Sequence, residues 1–431
     1  MSHRTPRAEP PSAGPPPGSA SRSDAGRDAP AHLAVGEPAR LPYHALIWLA
    51  VATFSTGIDG YVLAGLLPDI ARDLSVSEAV AGQLVTAFAL TAALAGPLLG
   101  ALTSGREQRA TIMAALAAFI AGNVVSALAP TYAVALGGRI IAALGACILG
   151  AAVTGYVVHL VPERSRGRAL SFVLGGWMTA TALGVPVGLL LGQSSWRVPL
   201  LMVAAVGTLA LIGIAARLPA LRYPPTRLRE RLQPLLRPRL VAGLLVSTGV
   251  LCASYTCFTY AVLILGPVHP QAGAIILIML GYGLASMLGN AVSGRLVDRF
   301  DPVRVLTAIL LVLLADAVLA GTAFSVLGAR AMAAATLAWF LLAGIGNGAH
   351  AVPQQARLAA MAPASASVVM ALNASAIPLG VALGGGAGGL GLALGMEAVQ
   401  LPWIAATLLT ATLALHLVVA RWSRRPHRLP G

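Results

Sequence analysis

The run Phe54-Ser-Thr-Gly-Ile-Asp-Gly-Tyr-Val-Leu-Ala-Gly-Leu-Leu-Pro68 is almost wholly apolar, yet it carries a carboxylate, Asp59, near its middle. About 20 apolar residues in a helix cross the hydrocarbon core of a bilayer. A charge at that depth costs roughly 2.5–3.5 kcal/mol on insertion scales, so Asp59 is a candidate functional group.

Composition extends that reading to the whole chain. Of its 431 residues, 57% are hydrophobic and 10% charged, and the mean hydropathy is +0.80. A soluble domain carries about 25% charged residues, so a membrane protein is expected, with room for roughly a dozen crossings. The net charge of +14 is supplied by arginines alone, placed between apolar runs. They form no patch with interleaved aromatics, which argues against a nucleic-acid partner. Cys147, Cys252 and Cys257 all fall inside apolar runs and read as buried thiols. No His or Cys partners accompany them, so neither a metal nor a cofactor is expected.

Residues 1–40, rich in Pro, Ser, Gly, Ala and Arg, read as a disordered cytoplasmic tail and not as a signal peptide. Twelve apolar segments follow, at 43–67, 79–102, 108–129, 132–160, 168–191 and 197–216, then at 241–265, 272–293, 303–327, 332–353, 366–390 and 400–420. They define an N-terminal six-helix bundle at 41–217 and a C-terminal one at 240–421, joined by a connector at 218–239 and closed by a tail at 422–431. The segment Arg217–Arg239 carries seven arginines and several prolines, too polar to enter a membrane. With both termini cytoplasmic, 25 arginines fall on the cytoplasmic side and three (Arg72, Arg197, Arg330) on the other, with Arg139 inside a helix. The positive-inside rule therefore selects this orientation, in the plasma (inner) membrane. Gly100-Ala-Leu-Thr-Ser-Gly-Arg-Glu-Gln-Arg109 after the second segment matches Gly294-Arg-Leu-Val-Asp-Arg-Phe-Asp-Pro-Val-Arg304 after the eighth. Two halves of equal helix number and the same orientation imply a parallel repeat about an axis along the membrane normal.

These two loops resemble the cytoplasmic signature of the major facilitator superfamily. The second copy keeps Gly294, Leu296, Asp298 and Arg299; the first keeps Gly100, Leu102 and Arg106 but has Ser104 at the family's Asp position. Ala64-Gly-Leu-Leu-Pro-Asp-Ile-Ala-Arg-Asp-Leu-Ser-Val-Ser77 and Ala81-Gly-Gln-Leu-Val-Thr-Ala-Phe-Ala-Leu90 resemble the bacterial drug:proton antiporters of the chloramphenicol and arabinose exporter group. Leu183-Gly-Val-Pro-Val-Gly188 is similar to the family's antiporter motif, with Gly184, Pro186 and Gly188 as its gating residues, and Ala371–Gly384 is also like that subgroup. The resemblance covers about residues 43–420. It implies an all-α membrane fold of twelve transmembrane helices in two six-helix pseudo-symmetric bundles.

Several polar residues inside the apolar runs could then carry the chemistry. Asp59 is a candidate for proton coupling, or else a structural carboxylate bonded to a neighbouring helix. In related exporters the acid of this helix sits one position later, where this chain has Gly60, and one position turns the side chain about 100°. Arg139, in Leu136-Gly-Gly-Arg-Ile-Ile-Ala-Ala-Leu-Gly145, resembles the family's helix 4 arginine implicated in proton coupling. An intramembrane arginine demands a partner, and Asp59 is the attractive one. Asp316 is a third coupling candidate, on a helix that is peripheral in this superfamily, where packing is the competing role. Asn347 and His350 share a helix face, and histidine titrates near neutral pH; polar packing between helices is the alternative. With Tyr61, Tyr255, Tyr260 and Asn373, they make up the substrate-binding candidates. The glycine-rich run 380–391 allows close helix packing and is not a phosphate loop, since no Gly-Lys-Ser/Thr follows it.

The expected function is export of a small amphipathic compound, a drug or antibiotic, in exchange for protons, by a monomer whose partners are its substrate, protons and lipid. A sugar or metabolite permease of the same fold is the alternative. A membrane enzyme would need a nucleophile–base pair or metal cluster, and none is apparent. A non-transporting sensor would carry an added soluble domain, for which neither tail is long enough.

Overall fold

Every apolar segment becomes a helix because a backbone polar group inside lipid must be bonded within its own segment. The computed structural model describes residues 42–222 and 233–424. The expected tail at 1–40, residues 223–232 of the connector and residues 425–431 lie outside the described residues. Among the described residues, twelve helices are long and apolar enough to cross a membrane. In the first half they are α1 (Tyr43–Gly65), α2 (Glu78–Leu102), α3 (Gln108–Ala127), α4 (Tyr132–Leu160), α5 (Glu163–Gly192) and α6 (Arg197–Arg217). In the second they are α7 (Pro238–Phe258), α8 (Ala272–Val297), α9 (Pro302–Val326), α10 (Ala331–Met361), α11 (Ala366–Ala393) and α12 (Ala398–Trp422).

One packing pattern occurs twice. In the first half α1 lies against α5 and α6, α2 against α4, and α3 against α4 and α6. In the second half α7 lies against α11 and α12, α8 against α10, and α9 against α10 and α12, which is the same scheme shifted by six helices. The two six-helix bundles meet through α2 with α11 and through α5 with α8, themselves an equivalent pair of contacts.

Small residues set the closest approaches. Along α11, Gly380, Gly384 and Gly388 recur every fourth residue, so they share one face. A Cβ on them would lie 2.4, 2.3 and 2.6 Å from the carbonyl oxygens of Thr248, Cys252 and Thr256 on α7. Two such ladders allow two backbones to touch, the small-residue logic of helix pairs in lipid.

Three helices depart from the expected segments. The segment 241–265 is not continuous: α7 ends at Phe258, and Thr259 and Tyr260 interrupt it before a short helix, Ala261–Leu265. Helix α5 contains a π-helical stretch, Ala180–Gly184, closed by the Val185 amide on the Ala180 carbonyl. Pro186 follows directly and has no N–H to sustain an α-helical bond, so the ladder is re-registered there. Helix α10 runs to Met361 and not to 353, because Pro353 stands in the first turn after the bend at His350, where its missing donor costs little. Arg357, expected in a cytoplasmic loop, therefore lies within α10 and is buried.

Candidate functional site

Helix α1 is fixed on three sides, and this decides where Asp59 points. Toward α5, Gly57 packs on Ala180, while Gly184 and Gly188 of α5 pack on Ile58 and Val62, each at distances that leave no room for a Cβ. The Thr53 hydroxyl donates to the Val173 carbonyl at 2.6 Å on the same side. Toward α6, the Ser55 hydroxyl donates to the Val203 carbonyl at 2.9 Å. The remaining direction turns Asp59 to α4, where Arg139 Nη1 donates to Asp59 Oδ1 at 2.6 Å. Both side chains are sealed, 0% and 2% exposed respectively. The Arg139 guanidinium also lies 4.3 Å from the centroid of the Phe88 ring on α2, in cation–π range. Position 60, where related exporters often carry their acid, is a glycine, and a Cβ on it would lie 3.9 Å from the Trp177 ring of α5.

Two residues beyond Asp59, about 200° further around α1, Tyr61 opens an aromatic patch between the two halves. Its ring is 6.4 Å from Trp177 of α5, 6.3 Å from Tyr255 and 5.7 Å from Phe258 of α7. Phe258 continues to Tyr282 of α8 at 5.0 Å, and Tyr282 to Phe340 of α10 at 4.9 Å. Trp177 is 40% exposed although it sits mid-helix. Tyr255, Phe258, Tyr282 and Phe340 are buried against one another. Trp177 was not singled out from the sequence; its spacing alone does not separate it from a lipid-facing aromatic.

Other candidates take different places. Tyr260 is fully buried in the seam of α2 and α11, its hydroxyl donating to the Gly385 carbonyl at 3.1 Å and lying against Gly82. In this arrangement it is a wedge between the halves. The Asn373 Oδ1 accepts from the Ser247 hydroxyl at 2.6 Å, and Gln354 Nε2 donates to that hydroxyl at 2.9 Å and to the Gly243 carbonyl at 2.7 Å. This network ties α7, α10 and α11 together. Asn347 accepts from the Ser254 hydroxyl and donates to the Tyr282 hydroxyl at 2.7 Å. His350 shares its face but donates through Nδ1 to the Asn347 carbonyl at 2.6 Å, a bond within its own helix. Asp316 is buried in the second half, away from the Asp59–Arg139 pair, and lines a small internal cavity.

A buried cation appears where none was expected. Arg357 Nη1 donates to His416 Nδ1 at 2.7 Å, and His416 Nε2 meets the Thr307 hydroxyl at 2.9 Å. Because that hydroxyl donates to the Val303 carbonyl at 2.7 Å, the histidine is the donor toward Thr307 and the acceptor toward Arg357, which assigns the neutral Nε2–H tautomer.

The signature loops differ from one another. In the first, Gly105 turns the chain at φ +83, and Ser104 donates to the Ala101 carbonyl at 2.7 Å. Gln108 pins the loop to the end of the first half: its backbone N–H donates to the Leu221 carbonyl at 2.8 Å, and the Arg109 guanidinium donates to the Ala215 carbonyl. Gly100 is buried, whereas Leu102 and Arg106 are exposed. In the second, Asp298 and Arg299 are exposed and, among the described residues, form no ion pair; a Cβ on Gly294 would meet nothing. Among the described residues no cluster of His, Cys, Asp or Glu is arranged to hold a metal.

The sequence profile described as Major Facilitator Superfamily matches residues 49–274. The chain is 30% identical over 394 residues to the inner membrane transport protein YdhP of Escherichia coli K12, covering 88% of this chain and 96% of that one. It is 36% identical over 268 residues to a chloramphenicol resistance protein of Streptomyces lividans, covering 59% and 67%. With an uncharacterized MFS-type transporter of Bacillus subtilis, YtbD, it shares 32% identity over 259 residues, 59% of this chain and 65% of the length of that relative. Among solved structures, a bacterial homologue of the lysosomal transporter Spinster, in an inward-facing and occupied conformation, superposes with a TM-score of 0.71 at 18% identity over 88% of this chain and 97% of that one. A D-xylose–proton symporter gives 0.70 at 17% identity, over 86% and 97%. At such identities these two likenesses speak to the fold alone.

Proposed function

From its place in the Major Facilitator Superfamily, to which this chain belongs, we propose that it exports a small amphipathic drug-like compound in exchange for protons. The observation that carries the reading is the sealed Asp59–Arg139 pair, two residues along α1 from Tyr61 and its aromatic patch. Membrane-embedded charges are rare and mark ion or substrate pathways. A carboxylate that takes up a proton releases its arginine partner. The two states of the pair thus differ in charge at the α1–α4 contact, while the patch lies on another side of the same helix.

In this account Asp59 is the proton carrier, Arg139 its counter-charge, and the rings of Tyr61, Tyr255, Phe258 and Trp177 the substrate surface. Alternating access arises from rocking of the halves across the α2–α11 and α5–α8 seams. The arginine-rich loops and both termini face the cytoplasm in this reading. Similarity to a chloramphenicol resistance protein supports a drug as cargo.

The reading is tested in inverted membrane vesicles with an imposed proton gradient and a panel of lipophilic antibiotics and sugars. Gradient-driven accumulation of antibiotics is expected. Movement of sugars alone would replace the drug assignment by a permease.

A further inference from the structure

We propose that the cavity inside the second half binds the ammonium group of a cationic substrate, with Asp316 as its counter-charge. This deepens the transport reading and rests on it. The cavity lies among α7, α8, α9, α10 and α12 and offers ≈ 40 Å³ of water-accessible space. That is room for roughly three water molecules, enough for an alkylammonium terminus and too little for a whole drug-sized body.

Asp316, in the middle of α9, is 5% exposed and lines this space. Among the described residues no donor bonds its carboxylate and no cation pairs with it. An uncompensated charge out of water is strongly disfavoured, and a cation entering the cavity removes that penalty where a neutral guest would not. The remaining walls suit the same guest. The Asn347 amide is already committed, donating to Tyr282 and accepting from Ser254, which leaves Asp316 as the unsatisfied polar group. Phe258, Tyr282 and Trp339 supply aromatic surface, which attracts cations through the ring quadrupole.

Access follows from the ring chain. Phe258 and Tyr282 wall the cavity, and Phe258 also touches Tyr61 edge to face at 5.7 Å. The cavity is therefore one ring behind the patch between the halves. A guest with an aromatic body on Tyr61 and Tyr255 reaches Asp316 with an ammonium arm once the Phe258 ring, which stands between them, swings aside.

The test is calorimetric titration of the full-length protein in nanodiscs with butylammonium, with 1-butanol and Na⁺ as comparison ligands. Butylammonium is expected to bind wild type and the surface variant Asp69→Asn alike, and Asp316→Asn at least tenfold more weakly, with no binding of 1-butanol. Should Asp316→Asn fail to fold, Asp316→Glu is expected to keep butylammonium binding within a few-fold of wild type. Equal affinity in wild type and Asp316→Asn overturns the proposal. So does Asp316-dependent Na⁺ binding that butylammonium does not displace, or no ammonium binding by folded wild type, which would leave Asp316 as a carrier of protons only. Proton-driven efflux of neutral chloramphenicol by Asp316→Asn separates the two readings. If it persists while the ammonium site fails, only the site falls; if wild type shows no proton-driven efflux, the transport reading falls.

Discussion

Asp59 and Arg139 meet through one contact, Oδ1 to Nη1 at 2.6 Å, while Asp59 Oδ2 and Arg139 Nε are buried without a partner among the described residues. A two-pronged arginine–carboxylate pair would use both oxygens; this one is half made, and is cheaper to open. Removing one partner still strands the other charge, at a cost of roughly 3–5 kcal/mol. Asp59→Ala and Arg139→Leu should each lower the thermal unfolding temperature sharply, and the double variant should recover much of the loss. Additive losses in the double variant would show that the two residues are not coupled.

The α7–α11 seam makes a prediction about packing. A Cβ at Gly384 would stand 2.3 Å from the Cys252 carbonyl, whereas one at Gly386 would meet nothing. Gly384→Val should destabilise by about 1–3 kcal/mol. Gly386→Ala should be neutral or stabilising by up to about 1 kcal/mol, since alanine is the better helix former. Comparable melting temperatures for the two variants would mean that the seam yields more easily than its backbone contacts indicate.

On the arginine-poor face, the Asp73 carboxylate accepts from Arg197 and from Trp196 Nε1, the latter at 3.0 Å. These hydrogen bonds, that of Arg197 first, hold its pKa below the ordinary 3.8. A group whose folded pKa is depressed adds stability that is complete above the unfolded value and is lost as pH falls through the folded one. The stability difference between wild type and Asp73→Asn should thus be flat at neutral pH and shrink below about pH 4. A difference that grew on acidification would carry the wrong sign.

The ring patch predicts selectivity. An aromatic contact is worth about 0.5–1.5 kcal/mol beyond area burial, so Tyr61→Ala should raise KM for an aromatic substrate roughly two- to tenfold. Gradient dependence should persist. An unchanged KM across a panel of aromatic compounds would remove Tyr61 from the substrate surface.

Much of this architecture was legible in the residues. Long apolar runs have few physical alternatives in lipid, so all twelve helices could be located, the ends of α7 and α10 excepted, and charges as rare as Asp59 and Arg139 could be paired from their depth alone. What escaped depends on tertiary contacts. Hydropathy falls past Pro353, so Arg357 read as a loop residue, and nothing local shows that His416, 59 positions later, would bury it. The π stretch in α5 and the break at Thr259 and Tyr260 leave no mark in hydropathy, and the residue type of Tyr260 does not show that its ring is buried between α2 and α11. Asp316 was visible as a charge, but its cavity is formed by residues from five helices.

The central claim is that Asp59 carries the coupled proton. Inverted vesicles with matched amounts of wild type and Asp59→Asn, given the same proton gradient, test it through accumulation of radiolabelled chloramphenicol at several external pH values. The account predicts accumulation by wild type that collapses with an uncoupler, and none driven by the gradient in Asp59→Asn. Full gradient-driven accumulation by Asp59→Asn with an unaltered pH profile would contradict it.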